Sequence, residues 1–347
     1  MKHLVFVYSH LSYLVINQYF VENNIDPKDC LFILSARYNA LPEGNNYTNT
    51  IYFPDELLPN GYKRVFHKNN IIIGLKNIRH VEDKINSFFK GDIFTMYLTN
   101  TTHDCFSALA TMKQCTGYYL IEEGAGSYID HDKAPKHFNR LQYPVICILS
   151  KILPRFYVLK CSQYSINNKY YSGTIATTQK AFQNYPGKHI IINSPFSKIT
   201  LDNVPDVILS IDASLMMSLG SFFPTELYKK ISEFFNCQGY HKIAYKFHPK
   251  YYADPSLLKT FRKGLTSVFG KDVVELDEKC QLENCFMSYP IDFCSDFSSV
   301  GIYAANYGRK CYSYMNLVKE LYPQSTYDKD YKISKYVLDL FTNIPSI

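Results

Sequence analysis

Short apolar runs that favour extended backbone alternate with helix-length segments along most of this chain. Residues 4–8, 31–36, 71–73, 93–98, 118–121, 174–177 and 189–192 read as strands, and 13–21, 81–90, 103–113, 135–152 and 179–184 as helices. Strands of this kind, each followed by a helix, make a parallel, doubly wound α/β sheet. A polar stretch, 194–205, breaks the pattern. Beyond it, strands at 207–210, 243–247, 273–276 and 286–289 alternate with helices at 225–235, 255–265 and 300–307, and an amphipathic segment, 332–342, closes the chain. At 347 residues the sequence exceeds a usual single core, so the expected division is two Rossmann-like domains, 1–200 and 201–347. Such halves are expected to face each other across a cleft, with ligand at the carboxyl ends of their strands.

Charge and cysteine usage remove several function classes. The net charge of +6 suits an anionic substrate or an anionic membrane surface. No dense Lys/Arg block or base-stacking motif accompanies it, which argues against nucleic acid. The ten cysteines form no C-x-x-C pair and several sit in apolar runs, so they read as buried free thiols, not zinc ligands or a disulfide framework. The N-terminal apolar run is short and lacks a small-residue cleavage site, which favours a first buried strand over a signal peptide. Residues 143–159 are interrupted by Lys151, Pro154 and Arg155 and cannot span a bilayer. Residues 138–151 could rest on a membrane face, but a buried helix is the preferred reading. The 31 tyrosines suit sugar ligands, whose C–H groups pack on ring faces, although codon bias toward Tyr, Phe, Asn, Lys and Ile explains them equally well.

Three short motifs each follow an expected strand. In Gly117–Tyr128 a β-forming run stops at Glu122 and Glu123, and Gly124 and Gly126 follow; adjacent carboxylates repel, so one can hold a raised pKa and act as a base. In Lys242–Lys250 a strand ends at His248, fixed by Pro249 and flanked by Lys246 and Lys250, an arrangement that can donate a hydrogen bond or a proton to a phosphate oxygen. In Phe286–Ala304, Ser298 and Ser299 precede a helical stretch and offer hydroxyls at a helix N-terminus. Each motif alone has an ordinary structural explanation: solvated surface charge, a turn-capping histidine, a helix cap.

In this order, an acidic pair with Gly, then His-Pro, then a Ser pair, the chain resembles the bacterial sialyltransferases of the GT-B fold. It is most like glycosyltransferase family 52, which holds lipooligosaccharide and capsule sialyltransferases, and the bacterial polysialyltransferases share the same motifs. The resemblance spans roughly residues 90 to 310. It implies the Glu122–Glu123 pair as supplier of the general base, Glu123 foremost, with His248 binding or protonating the donor phosphate. Ser298 and Ser299 would hold that phosphate, with Gly124, Lys246 and Pro249 completing the substrate-binding set. Some family members draw the base from an aspartate at the first strand of the second domain, and Asp212 occupies a comparable position. His10, after the first strand, reads as structural.

The implied reaction is inverting transfer of sialic acid from CMP-sialic acid to a hydroxyl of a cell-surface glycan or glycolipid, with no cofactor. A departing monophosphate can be stabilised by His, Ser and Lys donors without a metal. The D-x-D matches Asp130–Asp132 and Asp328–Asp330 follow no clear strand end and carry little weight. The free thiols suit a reducing cytoplasm, and peripheral contact with the inner membrane and a homodimer stay open. The rival readings are a GT-B transferase using another nucleotide sugar, a polysialyltransferase, and a noncatalytic glycan-binding protein. A P-loop enzyme is disfavoured, because Gly124-Ala125-Gly126 lacks the remaining elements of that pattern.

Overall fold

The computed structural model describes residues 1–35, 41–42, 44–58, 71–101, 104–128, 166–220, 222–296, 298–323 and 335–345. The chain divides into two compact units, Met1–Pro195 and Phe196–Ile347. The expected helix at 135–152, the membrane-face candidate at 138–151, both D-x-D matches, Cys147 and Cys161 lie outside the described residues.

The first unit is built on seven strands: β1 (Lys2–Val7), β2 (Cys30–Ser35), β3 (Thr50–Phe53), β4 (Phe94–Leu98), β5 (Cys115–Ile121), β6 (Tyr171–Ala176) and β7 (Lys188–Ile191). They lie in the order β3-β2-β1-β4-β5-β6-β7, every pair parallel. Every residue of β2 and β4 is buried, as for strands covered on both faces, and this is why they read as unbroken apolar runs. Helices α1 (His10–Glu22), α2 (Ile71–Phe89) and α3 (Asp104–Ala110) belong to this unit. Ser9 caps α1 by accepting from the Ser12 backbone N–H.

The second unit has six strands: β8 (Val207–Ile211), β9 (Ile243–Phe247), β10 (Val274–Glu275), β11 (Asp292–Ser295), β12 (Cys311–Ser313) and β13 (Thr342–Asn343). Their order is β10-β9-β8-β11-β12-β13, again all parallel. Its helices are α4 (Ala213–Leu219), α5 (Thr225–Cys237), α6 (Pro255–Phe269), α7 (Leu282–Ser288), α8 (Ser299–Asn306), α9 (Met315–Leu321) and α10 (Lys335–Asp339). Helix α6 shows how closely sequence dictates form: Asp254 caps it by accepting from the Ser256 and Leu257 backbone N–H groups, and Pro255 opens it. Leu257, Leu258, Phe261 and Leu265 bury one stripe, and Gly270 stops the helix at φ 90°.

Four expectations need correction. Residues 71–73 open α2 instead of forming a strand, because Ile78, Val81, Ile85 and Phe89 extend a buried helical stripe that outweighs the local β-branched run. Residues 286–288 end α7 and Tyr289 is its C-cap, with Leu282, Cys285 and Phe286 buried at helical spacing, and the strand is β11, which follows. Residues 179–184 are turns, with Phe182 and Asn184 at positive φ. The cysteines are not uniformly buried: Cys237 is exposed and Cys115 and Cys280 are partly so. Among the described residues no helix is long and apolar enough to cross a membrane.

The first sheet depends on one close approach. Gly173 in β6 pairs with Lys188 in β7, and a Cβ on Gly173 would collide with the Lys188 carbonyl oxygen, a backbone atom that cannot turn aside. Gly173→Ala is expected to cost roughly 3 kcal/mol, the upper part of the usual overpacking range. Chemical denaturation checks this; an unchanged midpoint would contradict it.

Candidate active site

The carboxyl ends of the strands in each unit carry the residues singled out by sequence. In the first unit Glu122 and Glu123 follow β5, and the structure separates their roles. Glu122 is 0% exposed. Its Oε1 accepts from the Tyr128 hydroxyl at 2.7 Å, and its Oε2 accepts from the Thr177 backbone N–H at 2.7 Å and the Thr177 hydroxyl at 2.8 Å. It therefore ties the end of β5 to the chain leaving β6 and to the short 3-10 turn Ala125–Tyr128. Glu123 stays partly exposed, and its backbone N–H donates to Ser127 Oγ at 2.9 Å. Between turn and strand sits Gly124 at φ 86°, a conformation that favours glycine. The acidic pair thus consists of a buried anchor, Glu122, and a partly exposed neighbour, Glu123.

In the second unit the sheet order reverses direction between β8 and β11, the switch point at which doubly wound sheets open a crevice. Asp212 leaves β8 there and Asp296 leaves β11. Both are nearly buried, 7% and 6% exposed. Asp212 Oδ1 accepts from the Ser210 hydroxyl at 2.9 Å. Its Oδ2 accepts from the Asp296 backbone N–H at 3.1 Å and the Tyr314 hydroxyl at 3.0 Å. Burial, and then the neighbouring Asp296 carboxylate, push the Asp212 carboxyl well above its ordinary value of 3.8. The charged form of Asp212 is therefore disfavoured at this place in the fold.

His248 follows β9. Its backbone N–H donates to Ile211 O at 3.0 Å, which joins it to the end of β8. Its Nδ1 accepts from the Lys250 backbone N–H at 3.2 Å, so in the neutral ring the proton lies on Nε2. Pro249 opens the short 3-10 turn that presents Lys250 for this contact. Loss of water around the ring lowers the His248 pKa, Lys250 and Lys246 add to that shift, and Asp296 opposes it. The residue is thus suited to donating a hydrogen bond from Nε2. The Lys246 ammonium donates to Glu278 O at 2.7 Å, with Asp277 O at 3.4 Å, and binds the turn after β10.

Ser298 is the N-cap of α8, where its Oγ accepts from the Val300 backbone N–H at 3.4 Å, and Ser299 is the first residue of that helix. The Ser298 backbone N–H donates to Ser295 Oγ at 3.3 Å. Asp212, His248, Ser298 and Ser299 therefore all follow strands on one rim of the second sheet. Sequence reasoning missed Asp296, Ser210 and Tyr314. A signal existed for the first two: Ser-x-Asp at Ser210–Asp212 and Ser-Asp at Ser295–Asp296 each place a hydroxyl and a carboxylate where an apolar strand ends. Among the described residues, no group of three or more His, Cys, Asp or Glu side chains could hold a metal ion.

No protein-family model matches the chain, and no curated protein matches it. Solved structures do. A sialyltransferase from Photobacterium damsela aligns with a TM-score of 0.51 at 11% identity, over 86% of this chain and 71% of that one. A 2,6-sialyltransferase from another Photobacterium, solved with CMP and lactose, aligns with a TM-score of 0.50 at 11% identity, over 86% and 69%. A putative UDP-N-acetylglucosamine 2-epimerase from Listeria monocytogenes aligns with a TM-score of 0.50 at 9% identity, over 90% and 78%. The chain has the fold of these enzymes, two Rossmann-like α/β units of the GT-B type.

The Asp212 environment has a consequence for stability. A carboxyl whose folded pKa is raised favours the folded state fully below its unfolded value of 3.8, and that advantage is lost as pH climbs toward the folded value. Asp212→Asn removes the titration, and Ser210 can rotate to accept from the new amide. The variant's stability relative to the native protein should rise between pH 4 and pH 7, by at most about 1.4 kcal/mol per pH unit. Denaturation midpoints at the two pH values check this, and a gap independent of pH would contradict it.

Proposed function

We propose that this protein is an inverting glycosyltransferase that moves sialic acid from CMP-sialic acid to a hydroxyl of a cell-surface glycan, of the family 52 type. The observation that carries the reading is positional. Glu123, His248 and the Ser298–Ser299 pair, the three motifs of the bacterial sialyltransferases in their order, each stand where a parallel strand delivers side chains to its carboxyl rim. The fold likeness to two Photobacterium sialyltransferases supports the same reading.

In this mechanism Glu123 takes the proton of the acceptor hydroxyl, which is nearly inert at neutral pH without a base. The acceptor oxygen attacks the anomeric carbon as the bond to the CMP phosphate breaks, a single displacement that inverts the centre. The departing phosphate oxygen gains charge and is met by the Nε2–H of His248 and the hydroxyls of Ser298 and Ser299. His248 serves here as a donor that accompanies the leaving group, in keeping with its lowered pKa. No cofactor and no metal enter these steps. Asp212 is the second candidate base, favoured by its place at the switch point and its raised pKa, since a carboxylate of raised basicity accepts a proton readily once ionised. Acceptor binding fits a glycan or glycolipid presented at the inner face of the membrane.

The test is incubation with CMP-sialic acid, and separately with UDP-sugars, against a panel of galactosides, with products read by mass spectrometry. Sialylated product and CMP release are expected, undiminished by EDTA. Glu123→Gln should abolish transfer while CMP still binds, and His248→Ala should slow it roughly 10²–10⁴-fold. Transfer from a UDP-sugar alone would assign another nucleotide donor, saturable glycan binding without CMP release would assign a noncatalytic role, and loss of turnover in Asp212→Asn but not Glu123→Gln would move the base to Asp212.

A further inference from the structure

The turn between β10 and α7 brings two thiols together. Cys280 is partly exposed in that turn, Cys285 is buried within α7, and their sulfurs lie 3.5 Å apart. The turn is held from several sides: the Cys280 backbone N–H donates to Asp277 O at 3.0 Å, and the Lys279 N–H to Asp277 Oδ1 at 2.7 Å. The Lys246 ammonium, on the carbonyls of Glu278 and Asp277, stands beside the Cys280 sulfur. The thiol of Cys285 donating to Cys280 is the largest influence. Burial opposes it, the Lys246 charge assists it, and the net effect draws the Cys280 thiol down to about 7 from 9.0. The other sulfurs of this unit's core behave oppositely: burial pushes Cys294 well up and Cys311 up to about 12.

We propose that Cys280 and Cys285 form a modification site, a nucleophile and its resolving partner that a hydroperoxide converts into an intramolecular disulfide. The Cys280 thiolate attacks one peroxide oxygen; the O–O bond breaks, the displaced hydroxide takes up a proton as water, and Cys280 becomes a sulfenic acid. The Cys285 sulfur, giving up its proton, then attacks Cys280 Sγ; the S–O bond breaks and a second water leaves. Two thiols and one hydrogen peroxide yield one disulfide and two waters, the sulfurs supplying the two electrons. The turn preceding α7 is the part that must move to close the bond, and it carries the carbonyls that anchor Lys246.

Trypsin cleaving after Lys279 and Arg309 releases Cys280, Cys285 and Cys294 in one peptide. The purified full chain, treated with stoichiometric hydrogen peroxide and then alkylated under denaturing conditions, should give this peptide about 2 Da lighter, alkylated only at Cys294 and restored by dithiothreitol. With dimedone present, Cys285→Ala should carry the adduct on Cys280. Alkylation of native Cys280 should show a midpoint near pH 7, and Cys285→Ala should raise it by about one unit or more. Cys280→Ser, the partner variant, should leave Cys285 fully reduced. Three alkylatable thiols after peroxide, a bridge to Cys294, or a midpoint indifferent to Cys285 would each overturn the proposal.

Discussion

The buried carboxyl of Asp212 is the interaction on which the second unit's rim depends. It collects the Ser210 hydroxyl, the Asp296 backbone N–H and the Tyr314 hydroxyl, and so fastens together the ends of β8, β11 and β12. An ionised carboxylate in that position would face both desolvation and the Asp296 charge. Those costs push its pKa up, and the three hydrogen bonds fix the geometry. His248, whose backbone is bonded to Ile211, and Ser298, whose N–H is bonded to Ser295, are both positioned from strands that this carboxyl joins.

The first unit reaches a similar end by other means. Glu122 accepts from Tyr128 and twice from Thr177, so it fastens β5, the chain beyond β6 and the Ala125–Tyr128 turn. Glu122 takes these three donors, none of them from a second acid, where Asp212 has Asp296 beside it and its pKa is pushed up. In both units one acidic residue at a strand's carboxyl end, Glu122 in the first and Asp212 in the second, gathers donors from neighbouring elements. A rim built on buried groups bonded from several sides is stiff.

Much of this was legible in the sequence, for identifiable reasons. Strand ends were readable wherever an apolar run halted at a charged or turn-forming residue, as at Ile121–Glu122 and Phe247–His248-Pro249, because a buried parallel strand cannot carry such residues through its middle. Local propensity misled at Ile71–Ile73 and at Phe286–Ser288, where packing of one helical stripe outweighed a few β-favouring side chains. The Asp212–Asp296 pairing was out of reach for a different reason. The two residues are 84 positions apart and meet only because β11 crosses back to lie beside β8. The contacts of Lys246 were out of reach similarly, since nothing near it in sequence announces the carbonyls of Asp277 and Glu278.

Under the proposed function, His248 on the second unit's rim would hold the phosphate of a cytidine monophosphate. Calorimetric titration of CMP into the native protein and into His248→Ala measures it directly. Saturable binding to the native protein is expected, weakened at least about tenfold in the variant, the worth of one hydrogen bond to a charged group. Equal affinity in the two proteins, or no binding of CMP by either, would contradict it.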